Sequence, residues 1–400
     1  MGKRILIFSL SYYPFVGGAE VAIKEVLSRL PKDKYSFDLV TLRFDSALPR
    51  FEKIENIDVF RIGFTKKNIN ISDFKKFPLV INKYLYPFWA CVYGAVLHRR
   101  KPYEAVFSIM TSYSSFAPMF LKLIFPNIKY IVRADDGDPI DYYLKKTRFV
   151  SKLFKWVFSK ADIAVATSKY LERFVKSMGY VGDVAIVPNG ANMEHFSKLQ
   201  DLSSINELKV ELGKKVEDVY LITTSRLVTK NAVDDVIRSL KFLDERVKFL
   251  ILGVGPDKDL LMDLSEKEGV GDRVKFVGRV GHDKIPLYFS VSDIFIRPSI
   301  TEGFGISFIE AMAAGLPVIA TQEGGIADFL YDPEINKDKK PTGRAVKVRD
   351  PEDIARQVKN YLDNKEMTKE IIKNAREMVF ERYDWSRIAK LMDDKVFSKI

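Results

Sequence analysis

Four hundred residues, 47% hydrophobic and 29% charged, describe a globular chain of two or three domains rather than a fibrous or disordered one. A single cysteine, Cys91, excludes an internal disulfide framework and a Cys-based zinc site, and His98, His195 and His282 are too scattered in sequence to suggest a metal cluster. The net charge of +11 is lopsided, with 30 Lys and Arg against 17 Asp and Glu in residues 1–190 and 34 against 36 in residues 191–400; a basic half fits a membrane surface or an anionic substrate, and equally a solvated face.

The first fourteen residues carry too short an apolar run for a signal peptide and read as a strand over 4–9. Gly17-Gly18-Ala19-Glu20 follows, and Val21, Ala22, Val26, Leu27 and Leu30 continue at helical spacing, so the glycine pair opens a helix. Strand, glycine turn and helix form a phosphate cradle, or simply a tight turn. Apolar runs at 36–41, 57–62, 105–109, 128–132, 162–166 and 184–187 alternate with helical patterns near 79–99, 114–124, 142–160 and 168–177. That alternation predicts a parallel α/β sheet.

The most apolar window, 79–97, is interrupted by Asn82, Lys83 and Pro87 and reads as a partly exposed helix, not a membrane span. The wider segment 64–101 interleaves aromatics with Lys and Arg, which suits a membrane interface or a core helix with a basic face. After the run at 128–132 comes Arg133-Ala134-Asp135-Asp136-Gly137-Asp138, acids at a strand's carboxyl end, where open α/β sheets bind ligands. Asp136-Gly137-Asp138 resembles a metal clamp, but turn chemistry explains it as well. A catalytic or acceptor-orienting role for Asp135 or Asp136 is the preferred reading, with no metal.

Val187-Pro188-Asn189-Gly190 closes the first series and marks a domain boundary. A second series has strands at 219–223, 247–252, 274–276, 294–296 and 318–320. The first of these empties into a turn holding Arg226 and Lys230, fixed cations of the kind a pyrophosphate requires. Gly253 and Gly255 follow the next strand without the third glycine of a dinucleotide fingerprint. Residues 297–321 then place Glu302, the turn Gly303-Phe304-Gly305 and a helix containing Glu310 before a strand. The glycine turn at a helix start suits an anion, and the two acids suit hydroxyl groups. Phosphate with polyhydroxyl describes a nucleotide sugar. The tail, 351–398, has a helical pattern anchored by Trp385.

Taken together, Gly17-Gly18-Ala19-Glu20, Val187-Pro188-Asn189-Gly190, Ser225-Arg226-Leu227, Gly253-Val254-Gly255-Pro256 and the Glu302 to Glu310 element resemble a family-4 glycosyltransferase of the GT-B architecture. The resemblance implies two Rossmann-like domains facing across a cleft, an acceptor-side domain at 1–190 and a donor domain at 191–380. A final helix at 381–400 would pack back on the first. It implies retaining transfer from a UDP- or GDP-type sugar to a glycan or lipid-linked acceptor, without an obligate cofactor or nucleic acid. The location implied is cytoplasmic, peripheral to the membrane through the basic half.

Residue by residue, the resemblance implies that Arg226 and Lys230 neutralise the leaving diphosphate and that Glu310 holds the ribose. Glu302, Gly303 and the backbone at Phe304, Gly305 and Ile306 would hold the sugar. Gly17 and Gly18 would border the phosphate or acceptor, and Gly278 and Arg279 the base. Two departures stand out. The family commonly has Lys where this chain has Asn231, leaving the cation one residue earlier at Lys230. It also often has His at the end of the 128–132 strand, where this chain offers Arg133 and the acids. An epimerase of the same fold and a noncatalytic nucleotide-sugar binder are the competing functions.

Overall fold

The computed structural model describes residues 2–15, 17–69, 73–74, 76–138, 145 and 150–400. Its contacts divide the chain into two units, Met1–Asn189 with Trp385–Ile400, and Gly190–Asp384.

The first unit is built on β1 (Lys3–Phe8), β2 (Tyr35–Leu42), β3 (Phe51–Ile54), β4 (Ile57–Ile62), β5 (Ala105–Ser108), β6 (Lys129–Ala134), β7 (Ile163–Ala166) and β8 (Val184–Ile186). They form one sheet in the order β3-β4-β2-β1-β5-β6-β7-β8, parallel except for the β3–β4 pair. Both faces of the central strands are covered, so β1, β5, β6 and β7 are apolar over most of their length. In β1, Ile5 and Ile7 join Ile23, Val26, Trp385 and Ile388 on one face. Leu6 and Phe8 join Tyr86, Met119 and Phe158 on the other.

The helix expected near 79–99 is present as Leu79–Arg100 and is continuous through Asn82 and Pro87. Asn82 is fully buried because its amide satisfies the backbone of Phe64 twice, receiving its N–H at 2.7 Å and donating to its carbonyl at 2.8 Å. The edge strand β3 was not anticipated, since its turn to β4 carries Glu55, at φ 54°, where a glycine would have signalled a hairpin. The helix expected over 142–160 is described only as Ser151–Ser159; 142–144 and 146–149 lie outside the described residues. Among the described residues no helix is long and apolar enough to cross a membrane.

The second unit has β9 (Val219–Thr224), β10 (Val247–Leu252), β11 (Val274–Gly278), β12 (Ile294–Arg297), β13 (Val318–Ala320) and β14 (Arg344–Ala345). Their order is β11-β10-β9-β12-β13-β14, all parallel. The chain moves outward from β9 through β10 to β11, then returns to β12 on the other side of β9. Connections therefore diverge between β9 and β12, and in a parallel sheet that switch point opens a crevice at the strands' carboxyl ends. The two-residue β14 is too short to have been read from its letters.

Candidate active site

The loops leaving β9 and β12 meet at the switch point of the second unit. The backbone N–H of Ile300, after β12, donates to the carbonyl of Lys230, after β9, at 2.8 Å. That bond brings the turn carrying Arg226 and Lys230 together with the one carrying Glu302.

The first turn is braced from below. Ser225 N–H donates to Leu252 O at 3.0 Å, Leu227 N–H to Val254 O at 3.1 Å, and Asp257 N–H to Leu227 O at 3.2 Å. Such close approach explains the glycines after β10. A Cβ on Gly253 would lie 1.8 Å from Ser225 O, and one on Gly255 would lie 2.0 Å from Leu227 O. They serve the Arg226 turn as a floor. Asn231 is buried, and its Nδ2 donates to the Arg226 carbonyl at 2.6 Å. Where the resemblance led to a lysine, this chain has a residue that fixes the backbone of Arg226. The Arg226 side chain is exposed, while Lys230 is half-buried on the one-turn helix Thr229–Asn231.

At the end of β12, the guanidinium of Arg297 is buried. Its Nη2 donates to Glu302 Oε2 at 2.8 Å, its Nη1 to Ser307 Oγ at 2.9 Å, and its plane lies 4.2 Å over the ring of Phe308. Burial pulls its pKa down, while the charges of Glu302 and Glu310 push it back up. Glu302 Oε1 also accepts the Gly303 N–H at 3.0 Å, and the Glu302 carbonyl accepts the Gly325 N–H at 2.9 Å. Glu302 is therefore a fixed acceptor.

Gly305 starts the helix Ile306–Ala313 at φ +87°, and a Cβ there would fall 2.5 Å from the Phe308 ring. Phe304 turns its ring into the core, with ring centroids 5.5 Å from Phe329 and 5.4 Å from Tyr383. Only its backbone remains for a ligand. Thr223 Oγ1, Thr224 Oγ1, Ser225 Oγ, Arg297 Nε and Ser299 Oγ are buried without partners among the described residues, all at the carboxyl ends of β9 and β12. Buried polar atoms are normally paired, so a group of unmatched ones at one place is where a ligand or ordered water would bind.

Glu310 is buried within the helix, and its Oε1 meets His282 Nε2 at 2.7 Å. His282 follows Gly278 and the exposed Arg279 in the turn after β11, so the segments expected at base and ribose are joined by a side chain that the sequence left unassigned. A cleft of ≈ 530 Å³ lined by His195, Lys198, Asp283, Lys284 and Leu287 adjoins this pair but includes none of Arg226, Lys230, Glu302 or Glu310.

In the first unit, Glu20 closes the Gly17-Gly18 turn. Its Oε2 accepts the Gly17 N–H at 2.8 Å and its Oε1 the Ser11 hydroxyl at 3.1 Å. Burial raises the Glu20 pKa, the Gly17 bond opposes it, and the charge of Asp135 adds a smaller upward push. The N–H that the phosphate-cradle reading offered at Gly17 is thus bound by the chain's own carboxylate. Asp135 accepts from Nε of the fully buried Arg133 on both oxygens, at 2.8 and 3.0 Å, and Arg133 Nη2 donates to Asn189 Oδ1 at 2.6 Å. Asp136 is half-buried beside it.

The model for "Glycosyltransferase Family 4" matches residues 16–195, and that for "Glycosyl transferases group 1" matches residues 204–378. The chain belongs to glycosyltransferase family 4. This glycosyltransferase is 23% identical over 94% of its length to the alpha-monoglucosyldiacylglycerol synthase of Acholeplasma laidlawii, covering 96% of that protein. It is 30% identical over 58% of its length to the GDP-mannose-dependent alpha-(1-6)-phosphatidylinositol monomannoside mannosyltransferase of Mycobacterium tuberculosis, covering 61% of that protein. Sucrose-phosphate synthase from Thermosynechococcus elongatus superposes with a TM-score of 0.82 at 19% identity, over 100% of both chains, a likeness of GT-B fold.

Within the glycosyltransferase's second unit, Arg226, Lys230, Glu302, Gly303, Phe304, Gly305 and Ile306 gather around the β9–β12 switch point, with Glu310 on the helix that follows. Gly17, Gly18, Asp135 and Asp136 belong to the first unit. Sequence reasoning passed over Arg297, His282 and Glu20. Arg297 alone left a signal, a charged residue ending an otherwise apolar strand, which a buried site must pair.

Proposed function

We propose that this glycosyltransferase moves a hexose from a nucleoside-diphosphate sugar, UDP- or GDP-linked, to a lipid-linked acceptor with retention of anomeric configuration. The observation that carries this reading is the Ile300–Lys230 bond, which ties the cation turn to the carboxylate turn. Arg226 and Lys230 then face the diphosphate as charge develops on it, and Glu302 accepts from sugar hydroxyls. Fixed cations and N–H dipoles stabilise a leaving dianion without a protein nucleophile. Because Glu302 is bound to Arg297 it is a poor nucleophile, which favours retention without a covalent sugar–enzyme intermediate.

The lipid acceptor is supported by two relatives, one named for a glucosyldiacylglycerol product and one for a phosphatidylinositol monomannoside acceptor. It is also supported by the helix Leu79–Arg100. Tyr84, Phe88, Val92 and Val96 are exposed along it at four-residue spacing, and Lys83, Arg99 and Arg100 flank them. Exposed apolar side chains beside cations fit an anionic membrane surface.

The test incubates the protein with UDP- and GDP-hexoses, with and without a membrane-lipid extract, and reads products by mass spectrometry and anomeric configuration by NMR. Lipid-dependent transfer with retention is expected. Acceptor-independent epimer formation, or unchanged donor under every condition, would replace the transferase reading.

A further inference from the structure

Glu310 is a carboxylate that the protein has almost removed from water, its side chain 7% exposed, and the group that meets it comes from elsewhere in the unit. His282 extends from the one-turn helix His282–Lys284, after β11, and brings Nε2 to 2.7 Å from Glu310 Oε1. A carboxylate oxygen accepts, so Nε2 is the donor in this pair. The ring is held in turn. His195 stacks on it at 5.9 Å and 21°, and Phe196 meets it edge-on at 5.3 Å. His195 Nε2 lies 3.3 Å from the His282 carbonyl, and the backbone of His195 is itself fixed by Asn192 Oδ1 at 3.0 Å.

A carboxylate offers two oxygens with about four lone-pair sites, so one imidazole bond fixes its rotamer and leaves room for a vicinal diol. We infer that His282 is a positioning residue for the donor nucleotide. It holds Glu310 oriented to accept the ribose hydroxyls, and it couples the loop that starts at Gly278 to the helix Ile306–Ala313. The inference rests on the proposed role of Glu310 toward ribose. His282 touches no reacting atom; it acts through Glu310, in the way an outer partner orients a ligand-binding group.

Calorimetry on the full chain tests this with UDP and GDP, taking whichever binds the parent more tightly, and with its 2′,3′-dideoxy counterpart. The parent should prefer the diol form by about tenfold or more, as hydrogen bonds to a charged acceptor do. His282→Ala should remove most of that preference while leaving the dideoxy affinity as it was. It should also raise KM for the donor sugar with kcat little changed. His282→Gln, whose amide nitrogen can reach the place of Nε2, should restore the preference, which a purely structural histidine would not show.

A His282→Ala variant that keeps the full preference, or binds the diol form more tightly than the parent, overturns the inference. Glu310→Ala separates the two levels. If it abolishes the preference and His282→Ala does not, only the histidine's role fails. If neither changes the preference, or neither nucleotide binds the parent, the reading of Glu310 itself is wrong and the inference falls with it.

Discussion

Arg297 Nη2 donates to Glu302 Oε2 at 2.8 Å, with the two side chains 8% and 16% exposed. The cation closes the turn between β12 and the helix Ile306–Ala313, so the Glu302 carboxylate is held from behind. Arg297→Gln leaves that acid without its charge partner. Glu302 keeps the Gly303 N–H and some water, so a loss of about 2–3 kcal/mol is expected in urea denaturation. The Arg297→Gln, Glu302→Gln double variant should regain part of it while remaining inactive. A single variant as stable as the parent would show that the pair is not a structural tie.

Asn231 and the two cations should separate by readout. Arg226→Ala and Lys230→Ala are expected to lower turnover by about 100-fold or more, the scale of losing one transition-state contact. Their melting temperatures should stay near that of the parent. Asn231→Ala removes the bond to the Arg226 carbonyl and should cost about 1–2 kcal/mol of stability as well as rate. Turnover with nucleotide sugar, measured beside thermal melts, distinguishes the classes; parent rates in both cation variants would remove them from the reaction.

Gly255→Ala is the sharpest geometric test of the floor beneath Arg226. The new Cβ would lie 2.0 Å from Leu227 O, and backbone cannot yield as a side-chain tip can. Nucleotide affinity measured by calorimetry should fall by about tenfold or more, since misplacing an electrostatic contact forfeits most of it. Parent affinity would mean that the two turns are less tightly packed than the structure shows.

For the membrane surface, Phe88→Glu places a like charge against anionic headgroups on a side chain already 62% exposed. Co-sedimentation with phosphatidylglycerol vesicles should drop, while turnover on a soluble acceptor analogue is kept. Equal binding of parent and variant, or equal binding to neutral and anionic vesicles, would argue for a different surface.

The C-terminal helix gives a pH dependence. Asp393 accepts from Lys34 Nζ at 2.8 Å and from the Tyr35 hydroxyl. Burial pushes the Asp393 pKa up, but the Lys34 and Tyr35 hydrogen bonds outweigh it and hold the acid below its ordinary value of 3.8. A folded pKa below the unfolded one adds stability that is complete above about pH 4 and lost as pH falls through the folded value. Lys34 is 45% exposed, so solvent screens the pair and its contribution is small. Asp393→Asn should flatten the acid limb of stability measured from pH 5 to 3; an unchanged limb would assign it to other carboxylates.

Much of the fold was legible because buried parallel strands are mostly apolar, as in β10 and β13 and, with polar residues interspersed, in β4; the bounds of all three match their letters. What escaped was local or relational. The turn at Glu55 lacks the glycine that announces a hairpin, and β14 is two residues long. In the site, Arg226, Glu302 and Glu310 stood out as charged residues beside turns. His282 did not, because its partner is 28 residues away and a lone histidine has no spacing to read. The glycines at 253 and 255 were visible, but their purpose belonged to a strand not their own.

The first unit is finished by residues that come last. Trp385, Ile388, Met392 and Phe397 fill the face formed by Ile5, Ile7, Phe37 and Phe107, and Lys3 Nζ donates to Phe397 O at a separation of 394 residues. During synthesis the early strands therefore wait, one apolar side covered only in part by Ile23, Val26 and Leu27, while all of residues 190–384 emerges. The intervening unit has its own core and can close first. Loss of the last sixteen residues would thus fall on the oldest part of the nascent chain, leaving it adhesive to chaperones or to other copies.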